Sequence, residues 1–233
     1  MRLDKYLSDS TDMSRKDIKS LIRKKAVTIN GETASKPETQ IKDGDAVMVN
    51  GQEVTYKKFV YLILNKPSGY VSATEDKKYP VVTELVPEEY RHFDVFCAGR
   101  LDIDTEGLLI LTNDGEFVHE ITSPKKNVYK KYYAELDKPL DSADVDAFAC
   151  GMEFKDFTAK PARLTICNET SAYVEIAEGK FHQVKRMFER VGKTVTYLKR
   201  VSIGGYALPC DLALGGIIEI DKDTLANLIY SEV

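Results

Sequence analysis

The stretch Gly99-Arg100-Leu101-Asp102-Ile103-Asp104-Thr105-Glu106-Gly107-Leu108-Leu109-Ile110-Leu111-Thr112-Asn113-Asp114-Gly115 sets a carboxylate-rich loop against an apolar run. Asp102, Asp104, Glu106 and Gly107 match positions 1, 3, 5 and 6 of a helix-loop-helix calcium loop. The match then fails, because position 12 is Asn113 instead of a bidentate Glu and Leu108 to Thr112 has the character of a buried strand. Carboxylates two residues apart share a face of an extended loop, so acid/base hydrolysis of a glycoside is a second reading. The plainest is a polar loop leading into a buried strand. Spacing alone leaves the last two open.

Further strands are expected over Phe59 to Asn65, Val128 to Leu136, Ala172 to Ala177, Thr196 to Ile203 and Ile217 to Ile220, where Tyr, Val, Ile and Thr dominate. Helices are expected over roughly Gly115 to Ile121, Ser142 to Cys150, His182 to Val191 and Asp223 to Ile229. Strands and helices do not alternate regularly, so the fold class is α+β, built on a largely antiparallel sheet. The 233 residues, 43% of them apolar, are enough for one or two domains with a substantial core. No apolar run approaches the roughly 20 residues that span a bilayer, and Met1-Arg2-Leu3-Asp4 does not open a signal peptide. A cytoplasmic protein with no membrane partner is expected. Cys97, Cys150, Cys167 and Cys210 form no CxxC pair and lie at no metal-site spacing from a histidine, so they read as buried structural thiols and no metal site is expected.

The net charge of −4 hides an asymmetry. Residues 1–59 carry 12 Lys+Arg against 9 Asp+Glu, whereas 60–233 carry 21 against 28. A basic head on an acidic body suggests that the head meets a polyanion. Within it, Ser14 is a candidate N-cap with Asp17 three residues on. Ile18, Leu21 and Ile22 make one apolar helical face, while Arg15, Lys16, Lys19, Arg23, Lys24 and Lys25 fill the rest. Asn30-Gly31 and Asp43-Gly44-Asp45 then mark turns between short strands.

Helix, helix, strand, turn, strand in this order resembles the S4-like RNA-binding domain, with its pattern in Arg2-Leu3-Asp4-Lys5-Tyr6-Leu7, Ser14-Arg15-Lys16 through Ile22-Arg23, Val27-Thr28-Ile29-Asn30-Gly31 and Asp43-Gly44-Asp45. Members usually carry Gly after the basic helix, where a left-handed residue ends it; here Lys25 stands, so a strained or shifted turn is expected. The acidic stretch in turn is similar to the active-site signature of the RsuA family of ribosomal RNA pseudouridine synthases. Asn65-Lys66-Pro67-Ser68-Gly69, Tyr129-Lys130-Lys131-Tyr132 and Glu178-Gly179-Lys180-Phe181-His182-Gln183-Val184-Lys185-Arg186-Met187-Phe188 continue that likeness in the family's order. Two domains follow: 1–59, S4-like and RNA-binding, with Arg15, Lys16, Lys19, Arg23 and Lys24 as contacts, and 60–233, the catalytic domain.

The resemblance implies detachment of uracil from the ribose, rotation of the base and reattachment through C5, with no cofactor or metal consumed. It places the catalytic carboxylate at Asp102, as nucleophile or as base. A buried carboxylate stays ionised only beside a cation, and Lys185, with Arg186 as rival, occupies the matching helix start. Tyr132 matches the tyrosine that stacks on the target uracil, with Tyr133 expected on the opposite side of the sheet. Arg100 is suited to stack in the gap left by an extruded base. Lys66, before Pro67, is expected to be structural, because X-Pro ends a strand. The partner is ribosomal RNA, 16S RNA or a small-subunit assembly particle, bound by a monomer. A 23S target or a non-catalytic assembly factor are the alternatives.

Overall fold

The computed structural model describes residues 1–123 and 126–231. The head opens with α1 (Leu3–Ser10) and α2 (Arg15–Arg23), then β1 (Val27–Ile29), β2 (Glu32–Thr33), β3 (Val47–Val49) and β4 (Gln52–Glu53), which form a sheet in the order β2-β1-β3-β4. Leu3, Leu7, Ile18, Ile22, Val27 and Val47 make its core. The Ser14 hydroxyl accepts the Asp17 N–H at 3.2 Å and starts α2 where the sequence places the cap. All six cations of α2 and its end are exposed. Lys25 adopts φ +59 and donates its N–H to Ile22 O at 3.0 Å, so the turn is not shifted and a side chain tolerates a conformation costing about 1–2 kcal/mol. This compact unit is not contiguous: Pro87–Asp94, containing the 3-10 turn Glu88–Phe93, packs with Met1–Val60, which periodicity gave no reason to expect.

The second unit holds β5 (Tyr61–Lys66), β6 (Phe96–Cys97), β7 (Glu106–Thr112), α3 (Gly115–Thr122), β8 (Lys130–Leu136), α4 (Ser142–Cys150) and the β9 (Met152–Glu153) and β10 (Thr158–Ala159) hairpin. It continues with β11 (Arg163–Asn168), β12 (Ser171–Ile176), α5 (Gln183–Arg190), β13 (Val195–Ile203), β14 (Tyr206–Ala207), β15 (Ile217–Glu219) and α6 (Lys222–Tyr230). The main sheet runs β11-β12-β8-β13-β7-β5-β15, and β13 with β7 is its one parallel pairing among the described residues.

β5 and β7 are buried on both faces, as continuous apolar runs require, and β8 buries Lys130, Tyr132, Ala134 and Leu136 while Tyr133 and Glu135 point the other way. At the β7–β13 contact a Cβ on Gly107 would collide with the backbone of Arg200, so only glycine fits. The Asp114 carboxylate ties strands to helices: it caps α3 at Phe117 N (3.1 Å) and accepts from Tyr61 OH (2.6 Å) and Lys222 Nζ (2.8 Å). Burial alone would raise its pKa; those three donors outweigh it and hold the carboxyl at about 2.

Two expectations need correction. β11 escaped the sequence because five of its six residues are exposed; pairing with β12 makes it a strand, not its own pattern. The thiols are not uniformly buried: Cys150 ends α4, Cys167 lies on edge strand β11 and Cys210 follows β14, all three exposed. Among the described residues no helix is long and apolar enough to cross a membrane.

Candidate active site

The loop from Gly99 to Thr105 joins β6 to β7, and its backbone is held from below by one side chain. Lys66, fully buried at the end of β5, directs its ammonium at four carbonyl oxygens: Pro67 (3.1 Å), Asp102 (3.1 Å), Ile103 (3.3 Å) and Thr105 (2.8 Å). Ser72 adds a reciprocal clamp, its hydroxyl donating to Leu101 O at 2.9 Å and accepting from Leu101 N at 3.0 Å. Gly69 N donates to Ile103 O at 2.7 Å, and Thr105 N turns back to Asp102 O at 3.1 Å. The backbone on both sides of Asp102 is therefore fixed. Burial pushes the Lys66 ammonium down to about 8, against the opposing pull of Asp104, Asp102 and Glu106.

The Asp102 carboxylate, 27% exposed, lies 3.3 Å from Lys185 Nζ and 3.4 Å from His182 Nε2. Lys185 also reaches Asp104 Oδ1 at 2.5 Å, so one ammonium bridges both carboxylates that a calcium loop would have aimed at its ion. Burial tends to raise the pKa of Asp104, but the Lys185 hydrogen bond and charge prevail and it is lowered. The helix that carries Lys185 is set by its apolar face, Val184, Met187 and Phe188, all buried, and ends at Gly192 with φ +75.

Arg100, Asp102, Tyr132, His182 and Lys185 line one cleft, floored by Ile176, Val184 and Leu198. Tyr132 is 7% exposed and its strand neighbour Tyr133 faces the opposite side, edge-on to Tyr173 at 5.6 Å. Arg100 is exposed at the rim. Arg186 is not brought to the cleft: it forms two hydrogen bonds to Asp156, at 2.9 and 2.5 Å, and its guanidinium lies over Phe154 (4.8 Å) and Phe157 (4.7 Å) of the β9–β10 hairpin. One residue of helical rotation separates the two cations, and the structure sends only Lys185 to the carboxylate. Arg15, Lys16, Lys19, Arg23 and Lys24 belong to the other unit, exposed along α2 and its end.

Three contributors lie within the quoted family blocks, but the sequence did not show their roles. Lys66 was legible as the end of a strand but not as the support of the acidic loop. His182 sits beside Asp102 because its backbone is left-handed, φ +51, which turns the side chain out of the helical register. Glu178, buried, accepts at Oε1 from Lys160 N (2.8 Å) and Gln183 Nε2 (3.0 Å), fixing the turn ahead of α5.

Residues 60–190 match the family described as RNA pseudouridylate synthase, and residues 1–47 match the S4 domain. An uncharacterized RNA pseudouridine synthase of Bacillus subtilis is 41% identical over 97% of both chains. Ribosomal small subunit pseudouridine synthase A of Escherichia coli is 36% identical, covering 98% of this chain and all of that one. A crystal structure titled as a pseudouridylate synthase superposes with a TM-score of 0.69 at 34% identity, over 98% of this chain and 99% of the other.

Proposed function

Because the chain belongs to the RNA pseudouridylate synthase family, and is therefore an isomerase acting on RNA with an S4 domain at its head, we propose that it converts a specific uridine of 16S ribosomal RNA to pseudouridine with Asp102 as the catalytic group. The observation that carries this reading is the carboxylate of Asp102, fixed on a clamped loop and paired with Lys185 at 3.3 Å inside a cleft lined by Tyr132. The choice of the small subunit follows the name of the Escherichia coli relative.

In this mechanism the Asp102 carboxylate, with Lys185 Nζ 3.3 Å away, attacks C1′ or takes a sugar proton. The N1–C1′ bond breaks, the uracil turns while held on the Tyr132 ring, and a C5–C1′ bond forms as C5 loses its proton and N1 gains one, so that no net proton is consumed. Substrate and product have the same atoms, so the balance requires no oxidant or second substrate. Stacking on Tyr132 contributes about 1–3 kcal/mol and keeps the free base from escaping. Arg100 at the rim can stack in the gap left by the extruded nucleotide or contact phosphate. The exposed cations of α2 grip the RNA backbone, which positions the target without reading its sequence.

The test is pseudouridine mapping, by selective chemical labelling and primer extension, on 16S and 23S RNA from cells lacking this protein. One 16S position should lose its modification and regain it on complementation. A loss confined to 23S RNA would move the target to the large subunit, and an unchanged map would reject the reading.

A further inference from the structure

Phe181, immediately before the cleft residue His182, is 70% exposed, more than any other large apolar side chain among the described residues. It contributes nothing to the core. A flexible turn could fold such a ring away, but this one is pinned from below. Buried Glu178 holds Gln183 and Lys160 N through one oxygen, the Gln183 side chain accepts from Lys180 N at 2.9 Å, and Gln183 N donates to Lys180 O at 3.1 Å. The turn therefore presents Phe181 outward in a fixed position. Its ring stacks on the His182 imidazole, centroids 3.8 Å apart and planes 19° from parallel, and that imidazole lies 3.4 Å from the Asp102 carboxylate. The His182 backbone is held at φ +51, an uncommon conformation for a side-chain-bearing residue, and this rotation brings the pair to the mouth of the cleft.

We propose that Phe181, backed by His182, is a shelf on which an unpaired nucleobase next to the target uridine stacks while the uridine occupies the cleft, a proposal that rests on the isomerase reading above. A flat exposed ring accepts any base through its π-face, so the shelf adds grip without sequence preference. Lys180, exposed one residue earlier, is placed to meet the phosphate of the same nucleotide.

The experiment compares full-length wild type with Phe181→Ala, Phe181→Leu and Phe181→Tyr on deproteinised ribosomal RNA from cells lacking the protein. An exposed ring can be removed without unfolding the chain, and equal melting temperatures establish that. Phe181→Ala should raise KM about tenfold, more than it lowers kcat; Phe181→Tyr should stay within about twofold of wild type, and Phe181→Leu should behave like the alanine variant. An unchanged KM in Phe181→Ala, or leucine performing as well as tyrosine, would overturn the shelf. If wild type forms no pseudouridine on deproteinised RNA or on small-subunit assembly particles, the isomerase reading fails separately. The shelf is then judged by a single-stranded oligouridylate carrying one 2-aminopurine, whose fluorescence wild type and Phe181→Tyr should quench and Phe181→Ala should not. Equal quenching by Phe181→Ala rejects it.

Discussion

Replacing Lys66 by Met removes the ammonium under the acidic loop while keeping most of its volume, and the structure sets opposing effects on stability. Hydrogen bonds from a charged donor contribute roughly 1.5–3 kcal/mol each. Lys66 has three protons for four carbonyl oxygens, and the bond to Thr105 O, 2.8 Å, is the one buried on both sides. Against this, confining the charge costs about 3 kcal/mol, the equivalent of lowering its pKa from 10.5 to about 8. The three part-buried carbonyls can turn to water, and the one fully buried bond, about 1.5–3 kcal/mol, largely cancels the cost of confining the charge, so Lys66→Met should change unfolding stability by no more than about 2 kcal/mol. The loop's position has no such compensation. The Asp102 carbonyl loses one of its two restraints, and a displacement of about 1 Å in a reacting group costs on the order of 100-fold in rate. Single-turnover pseudouridine formation should therefore drop about 100-fold in a protein that still unfolds cooperatively in urea. Full activity in the folded variant would refute the idea that the ammonium positions Asp102; inactivity due only to unfolding would refute the cancellation.

Lys185→Met should reduce kcat by several orders of magnitude because it leaves Asp102 without its ammonium, whereas Arg186→Met should alter mainly stability, since its guanidinium meets Asp156 and two phenylalanines; equal losses in a paired rate measurement would contradict the geometry. Activity should fall as pH rises through about 8, where Lys66 sheds the proton its carbonyl contacts need. That loss is not unfolding: Lys66 and Lys130, both lowered to about 8 by burial, release protons in the folded chain before the unfolded one does, so between about 8 and 10 their contribution to stability grows with pH. A pH–rate profile alongside melting temperatures separates the two effects, and a flat rate across that range would contradict the first. Replacing Lys16, Lys19 and Arg23 together by Ala should reduce the slope of log affinity against log salt by about 2–3, measured by filter binding; an unchanged slope removes α2 from the RNA contact.

Much of the scaffold was legible because its signals are periodic. Two-residue alternation put Tyr132 and Tyr133 on opposite faces, and the spacing of Val184, Met187 and Phe188 oriented α5. The end of the family signature proved structural, since Asp114 caps α3 and receives Tyr61 and Lys222. What escaped depends on partners distant in sequence or on conformations without a pattern. Periodicity does not announce a lysine that enters the core to meet carbonyls 36 to 39 residues away. Nor could it separate Lys185 from Arg186, whose destinations are set by Asp102 and by Asp156, far apart on the chain. The left-handed backbone of His182 has no glycine or asparagine to mark it, and the packing of Pro87–Asp94 with the head arises only in three dimensions.

The most direct trial of the account is single-turnover conversion of uridine to pseudouridine in ribosomal RNA by Asp102→Asn, with RNA affinity measured on the same preparation. The substitution preserves size and backbone hydrogen bonding, removes the charge that Lys185 and His182 face, and turns one acceptor oxygen into a donor. Conversion should vanish while affinity stays within about threefold, because charge needed in the transition state is lost and little binding surface is. Turnover at a rate near wild type would contradict the catalytic role of Asp102.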